Sequence, residues 1–266
     1  MNALSARLPD FPWNSLEPAK AKAATHPGGV VDLSVGTPVD PTPQVALDAL
    51  RAAADAPGYP QTWGTPALRN AIIGYLRRRW GAGRLSPQQV LPLIGSKEFV
   101  AWAPTLLGLG KADTVVIPTL AYPTYDVGAK IAGCRVVASD NPDEIAGLRP
   151  KLVWINSPAN PHGKVLDRAE TKAWVDAARR AGALLASDEC YGEFGWEAQP
   201  CSVLDESICS GDTAGLLAVH SLSKRSNVAG YRAGFVAGDQ VVLAELLELR
   251  KHAGMMLPDP VQAAKV

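Results

Sequence analysis

The chain has 266 residues, 47% of them apolar, and 26 basic against 26 acidic side chains, for a formal net charge of zero. That length predicts one or two domains and that apolar share a large core, while the neutral balance argues against a nucleic acid or an anionic membrane as partner. Pro9, Asp10, Pro12 and Glu17 interrupt the start where a secretory peptide needs an apolar run, and no later segment is long enough to span a bilayer, so a cytoplasmic location is expected.

In chain order, residues 14–25 are predicted helical, and Val30-Val31-Asp32-Leu33 starts a segment leading to Gly36. Helices are predicted at 45–54, 66–80 and 97–108. Arg77-Arg78-Arg79 follows an apolar helical pattern and reads as a solvated helix end. Gly108-Leu109-Gly110 lacks the third glycine of a dinucleotide loop. Thr114-Val115-Val116-Ile117 and Arg135-Val136-Val137 read as short strands around a helix at 122–132. Leu152-Val153-Trp154-Ile155, Ala183-Leu184-Leu185-Ala186 and Leu216-Leu217-Ala218-Val219 read as buried strands, with helices at 169–181 and 240–252. The alternation argues for an α/β fold around a mostly parallel, covered sheet. Cys134, Cys190, Cys201 and Cys209 show no CxxC spacing and the four histidines are scattered, which predicts reduced thiols and no metal.

The three buried strands run into chemistry-bearing residues. The first leads into a turn at 156–163 rich in Asn, Pro and Gly, the second into Ser187-Asp188-Glu189-Cys190-Tyr191, and the third into Ser221-Leu222-Ser223-Lys224, with Arg232 close behind. Open α/β sheets place ligands at these carboxyl ends. A lysine there can form a Schiff base while hydroxyls and an arginine grip a phosphate.

With Gly36-Thr37-Pro38, Gly95-Ser96-Lys97-Glu98 and Tyr122-Pro123-Thr124-Tyr125 added, the chain resembles a class I/II aminotransferase of the fold-type I pyridoxal-phosphate superfamily, from about residue 10 to its end. The resemblance implies a seven-stranded-type sheet covered by helices and pyridoxal 5′-phosphate as cofactor. It implies that Lys224 holds the cofactor and shuttles a proton, and that Asp188 faces the ring nitrogen so that the ring can accept electrons. Asn160 and Tyr191 are implied to bond the oxygen at C3′. Tyr122 is implied to stack on the ring, a contact worth roughly 0.5–1.5 kcal/mol beyond area burial. Tyr125 stays open between packing and a site role. Ser96, Lys97, Ser221, Ser223 and Arg232 are implied to hold the phosphate, Ser96 and Lys97 opening a helix whose amides can face the anion. Tyr59 matches the tyrosine that reaches a neighbouring subunit's phosphate, which implies a homodimer. Gly36 and Asn160 are implied to lie beside the substrate.

By the same resemblance, residues 1–44 form an N-terminal arm and small-domain segment, 45–250 the large cofactor domain, and 251–266 the start of a C-terminal small domain that is largely missing, along with its carboxylate-clamping arginine. Weak turnover by this chain is therefore expected. Leu8-Pro9-Asp10-Phe11-Pro12-Trp13 and the stretch from Met255 to Gln262 resemble actinobacterial succinyldiaminopimelate aminotransferases. They imply amino transfer between N-succinyl-LL-2,6-diaminopimelate and 2-oxoglutarate in lysine biosynthesis. Aspartate, alanine or aromatic (kynurenine-type) aminotransferases, a β-lyase or decarboxylase, and an inactive fragment stay open as alternatives.

Overall fold

Strands with no polar face need cover on both sides, and here helices supply it. The computed structural model describes residues 4–266. In chain order the elements are α1 (Glu17–Ala23), α2 (Gln44–Ala52), α3 (Pro66–Trp80), β1 (Val90–Ile94), α4 (Ser96–Leu106), β2 (Thr114–Ile117), α5 (Thr124–Ala132), β3 (Arg135–Ala138), α6 (Ile145–Leu148), β4 (Leu152–Asn156), α7 (Arg168–Ala181), β5 (Leu184–Asp188), α8 (Glu206–Cys209), β6 (Leu216–Ser221), α9 (Leu222–Arg225), β7 (Ala233–Gly238), α10 (Gln240–His252) and α11 (Asp259–Ala263). Short 3-10 turns join several of them.

One seven-stranded sheet has the order β1-β7-β6-β5-β4-β2-β3. Strands β3, β2, β4, β5 and β6 are mutually parallel, while β7 runs antiparallel to both β6 and β1. The sheet is therefore mixed, with its parallel part in one block. Val153, Ile155, Leu185 and Ala218 pack beneath α3 and α7 on one face. Leu152, Trp154, Ala186, Leu217 and Val219 pack beneath α4, α5 and α10 on the other. The predicted strands and helices recur with shifts of a residue or two, except that 14–25 divides into a 3-10 turn and α1, and the helix expected from Tyr122 begins at Thr124.

Two contacts set α4, the helix that opens the site. Arg250, fully buried near the end of α10, donates to both oxygens of Glu98 in the first turn of α4, at 2.9 and 3.1 Å. Gly128 of α5 sits against the α4 backbone, where an added Cβ would lie 2.7 Å from the Val100 carbonyl and 2.8 Å from that of Ala101. Only a hydrogen fits there.

Candidate active site

Alternation along the strands decides which side chains reach the site. Asn156, Asp188 and Ser221 close β4, β5 and β6 and share the parity of Trp154, Ala186 and Val219, so they emerge on the α4/α5 face at the carboxyl ends. Asn156 and Asp188 are register partners. Their neighbours Glu189 and His220 pack on the opposite face, 3.1 Å apart and buried.

Asn156 works as a latch. Its Nδ2 donates to the carbonyls of Asp188 at 2.8 Å and Pro158 at 3.1 Å, and its Oδ1 accepts from the Asn160 amide at 2.7 Å. This pins the turn that carries Asn160. Asp188 accepts from the Tyr125 hydroxyl at 2.8 Å and from the Cys190 amide at 3.2 Å. Burial holds its carboxyl above the usual carboxylate range even though both donors pull the other way. Burial, with Cys190 and Asp188 adding to it, pushes the Tyr191 phenol up to about 12.

Ser221 ends β6 and accepts from the Ser223 amide at 3.1 Å, capping the short turn that presents Lys224. The Lys224 ammonium donates to the Gly36 carbonyl, tying the N-terminal segment to the site. Arg232 is left-handed at φ 54° and donates to the Ala229 carbonyl at 2.8 Å. Its guanidinium crosses Gly95, at φ 78°, where any Cβ would collide with it. It thus lies beside the first amides of α4, which begins at Ser96. Positive fork and unpaired amides form an anion cradle. Lys97 lies 5.5 Å from the ring centre of Phe11 and 5.9 Å from that of Trp13, so the arm folds over this cradle.

These groups face one cavity of about 710 Å³. Every site residue expected from the sequence lines it except Tyr59, which is 95% exposed and is not part of its wall. Tyr125, Asn156, Cys190, Phe11 and Trp13 also line it without having been assigned a site role. For Asn156 the strand parity was a usable signal. For Phe11 and Trp13 no local pattern exists, since their site neighbours are remote in sequence.

The cavity suits a phosphorylated, protonated heterocycle. Among the described residues the buried Asp188 carboxylate has no salt-bridge partner and is free to accept a ring N–H, and the Arg232 and α4 cradle can take a dianion. Lys224 lines the same cavity. Among the described residues no cluster of His, Cys, Asp and Glu fit for a metal ion occurs, the four cysteines are free, and no helix is long and apolar enough to cross a membrane.

This fold and this cavity suit bound pyridoxal phosphate, and comparison with known proteins agrees on that cofactor. The family model "Aminotransferase class I and II" matches residues 28–266, and the chain belongs to that pyridoxal-phosphate-dependent family. A solved aminotransferase from Neisseria meningitidis superposes with a TM-score of 0.88 at 34% identity, covering 100% of this chain and 72% of that one. A "probable aminotransferase" of Mycobacterium tuberculosis is 58% identical over 99% of this chain and 63% of its own length. The 4-dedimethylamino-4-oxo-anhydrotetracycline transaminase OxyQ of Streptomyces rimosus is 55% identical over 97% of this chain and 72% of its own length. An LL-diaminopimelate aminotransferase of Aquifex aeolicus is 31% identical over 92% of this chain and 66% of its length. The chain thus spans 63% to 72% of the length of these relatives.

Proposed function

We propose that this chain carries the cofactor site of an aminotransferase acting on amino acids and 2-oxo acids. The observation that supports it most is the convergence of Lys224, the buried Asp188 and the Arg232 and α4 cradle on one cavity. Bound pyridoxal phosphate supplies a carbonyl carbon that takes up an amino group and a protonated ring that receives the electrons of the broken α-carbon to hydrogen bond. The protein's own residues do the rest. Lys224 Nζ would hold the cofactor and, once displaced by substrate, would take up the proton leaving the substrate α-carbon. Asp188 keeps the ring nitrogen protonated. Asn160 and Tyr191 would donate to the C3′ oxygen, and Tyr122 would cover the ring face. Ser96, Lys97, Ser221, Ser223 and Arg232 hold the phosphate, with Tyr59 reaching in from a second copy of the chain. The backbone at Gly36 and the Asn160 amide lie beside the substrate carboxylate.

For the amino donor, we propose N-succinyl-LL-2,6-diaminopimelate with 2-oxoglutarate as acceptor, in a cytoplasmic lysine route. The flanking motifs support it, and distant support comes from LL-diaminopimelate aminotransferases at 27–31% identity. A second reading, a polycyclic ketone as amino acceptor, is favoured by the 55% identity to the tetracycline-pathway transaminase.

Titrating the purified 266-residue chain with pyridoxal phosphate tests both levels. An absorbance band from the bound cofactor is expected that Lys224→Ala abolishes. Succinyldiaminopimelate should convert that band to the amine form faster than glutamate, aspartate or alanine does. A band that persists in Lys224→Ala would sink the cofactor reading. Faster reoxidation of the amine form by a polycyclic ketone than by 2-oxoglutarate would favour the second substrate class.

A further inference from the structure

We propose that Tyr125 is a positioning residue for Asp188: by donating to Asp188 Oδ2, its hydroxyl aims the carboxylate at the cofactor ring nitrogen and holds it in the charged form. The inference rests on the cofactor reading above for the ring and on geometry alone for the hydrogen bond.

The geometry leaves the hydroxyl one partner. Tyr125 is 1% exposed and its oxygen lies 2.8 Å from Asp188 Oδ2. Its ring is stacked on Trp154, with centroids 5.2 Å apart and planes at 25°, and meets Tyr122 edge-on at 6.0 Å. The helix bearing it is pressed onto α4 at Gly128, one turn further along. On the carboxylate, Oδ1 accepts from the Cys190 amide at 3.2 Å. The titratable groups coupled to Asp188 are Tyr125 itself, the Cys190 thiol, Tyr191 and His220 on β6, with Lys224 acting on Cys190. Of these, only Tyr125 approaches Asp188 from the α5 side.

A carboxylate oxygen offers two lone-pair directions. With Tyr125 on one oxygen and the Cys190 amide on the other, both carboxylate oxygens are held, and each keeps a further lone pair for a donor in the cavity that Asp188 lines. Hydrogen bonds to the charged form favour that form, so losing the hydroxyl favours the neutral acid. A neutral acid is a poor partner for a protonated ring.

Tyr125→Phe keeps the stacked ring and removes only the donor. In the cofactor-free chain, carbon NMR should show the Asp188 carboxyl titrating at higher pH in the variant than in the native protein; an unchanged titration would overturn the proposal. Affinity for pyridoxal phosphate should fall roughly tenfold or more. Affinity for its 1-deaza analogue, which has no ring nitrogen for Asp188 to meet, should stay level. Equal loss for both ligands would mean that Tyr125 only shapes the pocket, and would also overturn it. If the native chain binds neither ligand, the cofactor reading fails, while the carboxyl titration still decides whether Tyr125 controls Asp188.

Discussion

Asp188 keeps a carboxylate out of water with a phenol and a backbone amide as its donors and, among the described residues, no salt-bridge partner. Its folded-state proton affinity is raised by burial, so the folded chain binds more protons than the unfolded one above the ordinary carboxylate range of about 3.9. Stability of the cofactor-free chain should therefore fall as pH rises from about 4 through the raised folded value, then level off. Melting curves across that range are expected to show the fall in the native chain and a smaller one in Asp188→Asn; equal pH slopes would remove Asp188 from the account. Saturating pyridoxal phosphate should raise the native midpoint more than that of the variant, because only binding to the folded form stabilises. Lys224, Asp188, Asn160 and Arg232 were legible as candidates because the chemistry restricts which residue types can serve, and each ends or follows a recognisable strand or turn. Tyr125 was not assigned, since its partner lies 63 residues further along the chain and nothing local marks its hydroxyl.

Helices α3 and α7 were legible because their ends are written locally. Thr65 accepts from the Leu68 amide before Pro66, and left-handed Gly81 closes α3. Asp167 and Glu170 form a capping box for α7, and left-handed Gly182 ends it. Strands β1 and β7 were missed for a physical reason. Pro92 in the middle of β1 argues against a central strand, yet the strand lies at the sheet edge where proline is tolerated. In β7, glycines at 234 and 238 blur the apolar signature. The placement of α4 depends on contacts that no local pattern reveals, and these yield two predictions. Gly128→Ala forces α5 off the α4 backbone and should cost about 1–3 kcal/mol in urea denaturation, with weakened cofactor binding because Tyr125 rides on α5. Arg250→Ala leaves Glu98 without its forked partner in a largely buried place and should cost about 3–5 kcal/mol by the same measurement. A loss under 0.5 kcal/mol in either case would show that the helix position does not depend on that contact.

At the scale of the molecule, α2 packs against α11 through Ala46, Leu50, Leu257 and Val261, in a third cluster that meets the sheet at Ala233 of β7. Tyr59 and the segment bearing Val31, Leu33 and Val39 leave large apolar side chains 86–95% exposed on the single chain. A second copy covering Tyr59 fits the proposed homodimer. Light scattering should then report twice the chain mass, and Tyr59→Phe should weaken pyridoxal-phosphate binding roughly fivefold while leaving the mass unchanged; a monomer with native affinity would end that proposal. The amino-acid sequence by itself determined the α/β class, most helix positions and the identities of the groups facing the cavity, because strand burial, helix caps and cofactor chemistry are each encoded within a few residues. Only the tertiary structure decided that the sheet is mixed, that Asn156 latches the 156–163 turn to Asp188, that the arm folds its aromatic rings over Lys97, and that Tyr125 faces Asp188. Those outcomes depend on contacts between residues far apart in sequence, and such contacts are chosen by the packing of whole elements rather than by any local pattern.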